Sequence, residues 1–340
     1  MRITIITPSY PPSVGGNATT ASRIVEGLKA RRVKTLVFLP EQSKDKNNSK
    51  KLEKFKPDLI HGFHAYKSGV IGKEICEKLN IPLVVTITGT DVNINLLQDD
   101  KRDKVKEILN FAKTIVVFHK SMKNKIVKKL PHLSYKIKTI KQTVKLKHKH
   151  CDIRKKLNLK KDDFIFFLPA AIRQIKYENF YLEEFVKLNQ QYNIKLILAG
   201  PVLDEKFATK FFENIKNHKC IYYIPKIPHD EIKCVFEDIN VSLNTSSTEG
   251  GMANAVLETM SIGKPVLVSA IEGNMSVIKD GYNGLIFKNP NDFYRKAEKL
   301  ILDKNLRQRL GRNGKNFMRK NFHYKEEINS YVKVYKEALK

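Results

Sequence analysis

The run Glu249-Gly250-Gly251-Met252-Ala253, followed by Glu258, is the part of this chain best suited to holding a phosphorylated, hydroxyl-rich ligand. Paired glycines let backbone N–H groups approach a ligand closely, because no Cβ stands in the way. From Ala253 onward the pattern is helical: Ala253, Val256, Leu257 and Met260 form one apolar stripe. Asn254, Glu258 and Ser261 then share the opposite face. Glu258 falls in the early turns, where the helix dipole favours the ionised carboxylate. An ionised carboxylate can accept two hydroxyl hydrogens together, as from a ribose. Glu249 points into the same space. The plain alternative is a surface helix with a glycine-rich start.

Two cations, Arg173 and Lys176, follow the apolar run 164–171. Arg as a fork and Lys as a point charge can hold one diphosphate; a solvated basic turn is the equal alternative. Near the N-terminus, Pro11 and Pro12 stiffen a turn that Gly15 and Gly16 continue. Asn17, Thr19 or Thr20 can open a helix over 20–29, and its bare N–H groups would attract an anion. The spacing is not G-x-G-x-x-G, so the dinucleotide fingerprint is absent. After the run 83–88 comes Thr88-Gly89-Thr90-Asp91, where Asp91 orients an acceptor or caps the next segment. His61 and His64, at the exit of the run 58–63, and His119, which ends the run 114–119, are either acceptor contacts or polar loop positions. His148, His150 and Cys151 look metal-capable, but they sit in a lysine-rich linker without partners at suitable spacing. No metal site is expected.

Those residues need elements to hold them. Apolar runs recur at 2–7, 33–39, 58–63, 83–88, 114–119 and 137–144. A second set lies at 164–171, 194–200, 221–227, 240–246, 265–270 and 284–287. Short, nearly continuous apolar runs mean burial on both faces, as in a parallel sheet covered by helices. The stretches between them have helical periodicity. Six strands alternating with helices, twice over, predict an α/β chain of two Rossmann-like doubly wound domains facing a cleft. The predicted domains are 1–150 on the acceptor side and 151–322 on the donor side. Residues 323–340 form a C-terminal helix whose apolar positions need a surface, which the first domain can offer. Residues 41–54 read as a polar loop.

Together these features carry a resemblance. The run EGGMANAVLETMSIGKPVLVS resembles the acidic motif, helix and strand of the retaining GT-B glycosyltransferases of family 4, the "glycosyl transferases group 1" class. ILAGP at 197–201, HDEIKCVFEDINVSLNTSS at 229–247 and DGYNGLIF at 280–287 occur in that family's order. The RQIK form and the EGN run are more like its glycosyltransferase 1 domain-containing branch. The resemblance implies a GT-B fold and metal-independent transfer of a sugar from a nucleotide-sugar donor, with retained anomeric configuration. It gives Arg173 and Lys176 the departing diphosphate, and Glu258 the ribose. Glu249, Gly250, Gly251, Met252 and Ala253 would surround the donor sugar. Gly15 and Gly16 would add backbone N–H groups to the diphosphate, with Asn17, Thr88 and Asp91 on the acceptor side. Three departures stand out: eight residues between Glu249 and Glu258 instead of seven, two between Arg173 and Lys176 instead of four, and Thr88 where relatives carry histidine. They touch the roles of Glu249, of the cation pair and of the exit of the run 83–88.

Charge and cysteines bound the partners. There are 63 Lys and Arg against 35 Asp and Glu, a formal charge of +28. Residues 101–161 hold 21 Lys and Arg against only Asp103, Glu107 and Asp152. A solvated surface, peripheral contact with an anionic membrane face, and binding of nucleic acid each use such a belt. Nucleic acid is the weaker reading, because RNA-binding aromatic signatures and Trp are missing. A nucleotide-sugar epimerase is the other alternative on the same fold. Cys76, Cys151, Cys220 and Cys234 lie far apart and read as free thiols of a reducing compartment. With no signal h-region and no long apolar span, the expectation is a cytoplasmic protein, peripheral at the inner membrane face if the belt is used there.

Overall fold

Phe164, Phe166 and Leu168 pack into one core, while Ile165 and Phe167 pack into another on the opposite face of the same strand. This alternation is why the strand sequences are apolar throughout. The structure is a computed structural model that describes residues 1–248 and 251–340, without the side chains of Ser43, Lys44 and Lys46. Twelve such strands are seen among the described residues. β1 (Arg2–Ile6), β2 (Lys34–Phe38), β3 (Leu59–Phe63), β4 (Leu83–Thr86), β5 (Thr114–Val117) and β6 (Ile137–Thr139) form one sheet in the order β2-β1-β3-β4-β5-β6. β7 (Phe164–Pro169), β8 (Ile194–Ala199), β9 (Ile221–Ile224), β10 (Val241–Asn244), β11 (Val266–Ser269) and β12 (Leu285–Phe287) form the other, in the order β12-β11-β10-β7-β8-β9. Every pairing is parallel, as in β7 and β8, where Phe164 to Pro169 register with Ile194 to Ala199.

The chain divides into two units, Met1–Thr143 with Phe322–Lys340, and Val144–Asn321. In the first unit, Ile3, Ile5 and Phe63 share a core with Ile24 and Leu28 of helix Gly16–Ala30. Ile328, Tyr331, Val334 and Tyr335 of helix Tyr324–Ala338 complete that core. The two helices meet at Gly27, where an added Cβ would overlap the side chain of Ile328 and push it aside. Beside that contact lies a buried ion pair. Arg23 donates from Nη2 to Glu327 Oε1 at 2.9 Å and from Nε to Oε2 at 3.0 Å, and Thr143 Oγ1 also donates to Glu327.

Several local expectations change. Residues 41–54 are not a loop: Pro40–Lys44 is a 3₁₀ turn and Lys46–Phe55 a helix. Asp45 starts the helix by accepting from Asn47 N at 2.8 Å, the cap a polar reading overlooks. The last strand of the first sheet stops at Thr139, because its sole partner β5 ends at Val117. The four cysteines are not all free. Cys151 and Cys234 form a disulfide with Cα atoms 5.9 Å apart, because the fold lays the linker against helix Ile232–Asp238. Cys76 and Cys220 are buried free thiols, and burial pushes the Cys76 pKa up to about 12. Among the described residues no helix is long and apolar enough to cross a membrane.

Candidate active site

Strand order points to one place in the second unit. Strands β7, β8 and β9 run outward in one direction, whereas β10, β11 and β12 run outward in the other. Neighbouring β7 and β10 therefore send their exit loops apart, and such a switch point opens a crevice at the strand carboxyl ends. The loop after β7 carries Arg173 and Lys176. The loop after β10 leads to Gly251, Met252 and Ala253. The predicted site residues Glu249 and Gly250 lie outside the described residues.

The two loops are stitched together. Thr245 Oγ1 donates to the Lys176 carbonyl at 2.7 Å, and Ser247 N to the Ile175 carbonyl at 2.9 Å. Asn179 returns the contact, with its backbone N to Thr245 O at 3.1 Å and its Nδ2 to Ser246 O at 3.0 Å. Arg173 precedes the short helix Gln174–Tyr177, and both cations are half-buried. Beneath them, Ser269 Oγ donates to Ser246 O at 2.6 Å. Asn274 Nδ2 donates to Asn244 Oδ1 at 3.1 Å and to Ser269 O at 3.0 Å. Asn274 and Asn244 are buried, so this network ties the exits of β10 and β11 from below.

Helix Asn254–Ile262 follows, with Ala253 as its N-cap residue. Its predicted apolar stripe is present, since Val256, Leu257 and Met260 are at most 2% exposed. Its other face is more enclosed than expected, because Glu258 is only 6% exposed. His229 Nε2 lies 2.8 Å from Glu258 Oε1. His229 comes from the segment between β9 and helix Ile232–Asp238. The sequence offered no local sign of this partner, since 29 positions separate the two residues.

The first unit has its own switch point between β1 and β3. After β1 the helix begins at Gly16, earlier than the expected residue 20, and without a side-chain cap. Gly15 takes the N-cap place at φ 147°, a conformation open to glycine and strained for other residues. None of Asn17, Thr19 and Thr20 is needed to open the helix; Asn17 is its second residue, half-buried. At the exits of β3 and β4, Asp91 is fully buried. Its Oδ2 accepts from Ala65 N and Thr88 N, each at 3.1 Å, and its Oδ1 accepts from Gly89 N at 2.6 Å. These bonds run back to Thr88 and Gly89 and across to Ala65, so Asp91 ties the two exit loops together and does not cap the segment that follows it. Thr88 is half-buried beside it.

The histidines are largely architectural. His61 is fully buried, with Nδ1 2.7 Å from Tyr335 Oη and Nε2 2.7 Å from Thr86 Oγ1. Burial lowers its pKa to about 3. His64 accepts from Lys67 N through Nδ1 at 3.1 Å and pairs with Thr90 Oγ1 through Nε2 at 2.9 Å. Burial, chiefly, lowers its pKa. His119 caps helix Lys120–Lys129 by accepting from Met122 N at 3.3 Å. The linker run disperses: His148 faces Glu237 at 3.4 Å and Cys151 is in the disulfide. Among the described residues, no three His, Cys, Asp or Glu side chains converge as metal ligands would.

Within the second unit, then, the fold brings Arg173 and Lys176 to the loop that leads to Gly251, Met252 and Ala253. Gly15, Gly16, Asn17, Thr88 and Asp91 belong to the first unit. Residues 150–317, which include the whole switch-point region of the second unit, match the family described as glycosyl transferases group 1. The chain is 27% identical over 333 residues to glycosyltransferase 1 domain-containing protein 1 of Xenopus tropicalis, covering 93% of this chain and 92% of that protein. It is 23% identical over 359 residues to the alpha-monoglucosyldiacylglycerol synthase of Acholeplasma laidlawii, covering 88% and 86%. Anabaena HepE, crystallised in complex with UDP and glucose, shares the fold with a TM-score of 0.81, over 98% of this chain and 99% of that one, at 14% identity.

Proposed function

We propose that this chain, whose residues 150–317 match the glycosyl transferases group 1, is a glycosyltransferase that moves a sugar from a nucleoside diphosphate sugar with retained anomeric configuration and without a metal ion, as a family 4 enzyme. The observation that carries this reading is the β7/β10 switch point, where the loop that carries Arg173 and Lys176 is joined by backbone-directed hydrogen bonds to the loop leading into the acidic run. Breaking the bond from the sugar's anomeric carbon leaves growing negative charge on the diphosphate. Fixed cations aimed at charge that develops in the transition state need no reorganisation when it forms. Arg173 and Lys176 take that role in place of a divalent ion. Glu258 accepts ribose hydroxyls, and Glu249 with Gly250, Gly251, Met252 and Ala253 encloses the sugar. Gly15 and Gly16 keep the anion-binding role within the first unit, and Asn17 and Thr88 the acceptor side.

UDP is the first nucleotide to try, since HepE was crystallised with it. For the acceptor, we favour a hydroxyl of a membrane lipid. The name of the Acholeplasma relative supports a lipid class. So does helix Lys120–Lys129, which buries Met122 and Ile126 while exposing Lys120, Lys125, Lys128 and Lys129. The deciding experiment follows nucleoside diphosphate release and product anomer by NMR, with and without EDTA. Activity should survive EDTA and the product should keep the donor's anomeric configuration. Arg173→Ala should lower kcat roughly 10²-fold, as loss of an oxyanion donor does. Strict Mg²⁺ dependence or an inverted product would refute the proposal, and release of a free isomerised sugar would indicate an epimerase.

A further inference from the structure

Glu258 is a carboxylate with little access to water and one side-chain partner among the described residues. Its side chain is 8% exposed, and His229 Nε2 sits 2.8 Å from Oε1. An ionised carboxylate has about four acceptor positions, more than one imidazole can fill. One oxygen is held by the imidazole, while the second meets no side-chain donor among the described residues. A ligand that brings hydroxyl donors would therefore complete the group.

The segment that presents His229 is anchored independently of Glu258. Glu231 N donates to Pro228 O at 2.9 Å, closing a turn around His229. Lys149 N donates to Asp230 O at 2.9 Å, and Lys149 Nζ pairs with Glu231 at 2.7 Å. Three residues beyond Glu231, Cys234 is joined to Cys151. The linker thus clamps the chain immediately after His229, so the imidazole arrives at Glu258 from a braced backbone.

We infer that His229 is a positioning residue for the donor's ribose: it fixes Oε1 of Glu258 and so aims Oε2 at the ribose hydroxyls. This inference rests on the assignment of Glu258 to the ribose. A fixed carboxylate can serve the 2′- and 3′-hydroxyls together, whereas a swinging one serves either poorly. His229 therefore sets the preference for ribo- over 2′-deoxyribonucleotides. It acts on donor binding, so it moves KM more than kcat.

The test uses the full chain and calorimetric titration. UDP, ADP, GDP and CDP are titrated first, and the tightest binder is then compared with its 2′-deoxy counterpart. Wild type should prefer the ribonucleotide. His229→Ala should weaken the ribonucleotide roughly 10-fold, in the range of a lost hydrogen bond to a charged group, while changing the 2′-deoxy form far less. His229→Gln, whose amide N–H can reach Oε1, should restore the preference. If none of the four nucleotides binds wild type, the nucleotide-sugar reading falls and the inference with it. If wild type binds but does not discriminate, the ribose assignment of Glu258 is wrong. If wild type discriminates and His229→Ala weakens both forms equally, His229 is structural only and the positioning inference alone is refuted.

Discussion

Replacing Glu327 by alanine should be among the most damaging single changes in the first unit. The Glu327 side chain has 0% exposure and its partner Arg23 has 4%. Two guanidinium hydrogen bonds and one from Thr143 converge on its carboxylate. Removing it strips the buried guanidinium of the Glu327 carboxylate, and breaking a buried pair typically costs about 3–5 kcal/mol. Against a domain stability of roughly 5–15 kcal/mol, that is a large fraction. The contact joins helix Gly16–Ala30 to helix Tyr324–Ala338, so both loosen from β1 and β3 together. Urea unfolding read by far-UV circular dichroism and tyrosine fluorescence is suitable, since the chain has 13 Tyr and no Trp. Three of those tyrosines, Tyr324, Tyr331 and Tyr335, lie on the C-terminal helix. Urea is preferable to guanidinium, which would screen the pair. The double replacement Arg23→Met with Glu327→Leu should recover most of the loss, because an apolar pair carries no desolvation penalty. A loss below about 1 kcal/mol for Glu327→Ala would show that Arg23 finds water or another acceptor, and the reasoning from burial would fail.

Two other outcomes follow from the first unit. With its pKa held near 3 by burial, His61 is neutral in the folded protein, while in the unfolded chain it titrates near 6.5. Its contribution is fully present above pH 6.5 and is lost as pH falls toward 3, at about 1.4 kcal/mol per pH unit; a His61 imidazole resonance, assigned by its loss in His61→Asn, that titrates near pH 6.5 in the native protein would contradict this. Charge reversal at Lys120, Lys125, Lys128 and Lys129 should remove binding to phosphatidylserine vesicles at low salt, at about 1 kcal/mol per residue, with donor affinity unchanged; wild-type protein that ignores such vesicles would leave the exposed lysines as solvated surface.

The strands could be found in the sequence because each is buried on two faces. Segments such as Phe164–Pro169 and Ile194–Ala199 are apolar without needing a partner to explain them. The loops after β7 and β10 were visible for a related reason. Glycine and charged residues at strand exits carry their meaning locally, through backbone freedom and side-chain chemistry. What stayed hidden depends on residues distant in the chain. Cys151 and Cys234 are 83 positions apart, and neither has neighbours that announce a disulfide. His61 looks like any polar strand end until Tyr335, 274 residues later, is placed over it.

Charge was the property most open to misreading, because a count says nothing about placement. Lys136 belongs to the basic stretch 101–161, yet it is only 7% exposed. Its Nζ donates to the carbonyls of Asn110 at 2.6 Å and Ala112 at 2.9 Å, closing the end of helix Asp99–Phe111. A cation there satisfies carbonyls that have no helical partner and meets the negative end of the dipole. Lys123 likewise reaches the Ile137 carbonyl at 3.4 Å. Such lysines stabilise the fold and contribute little to any outside surface. Those at 120, 125, 128 and 129 are different, since the buried positions of their helix, Met122 and Ile126, turn them outward. The basic stretch is therefore two populations, and only the outward one can recruit an anionic partner.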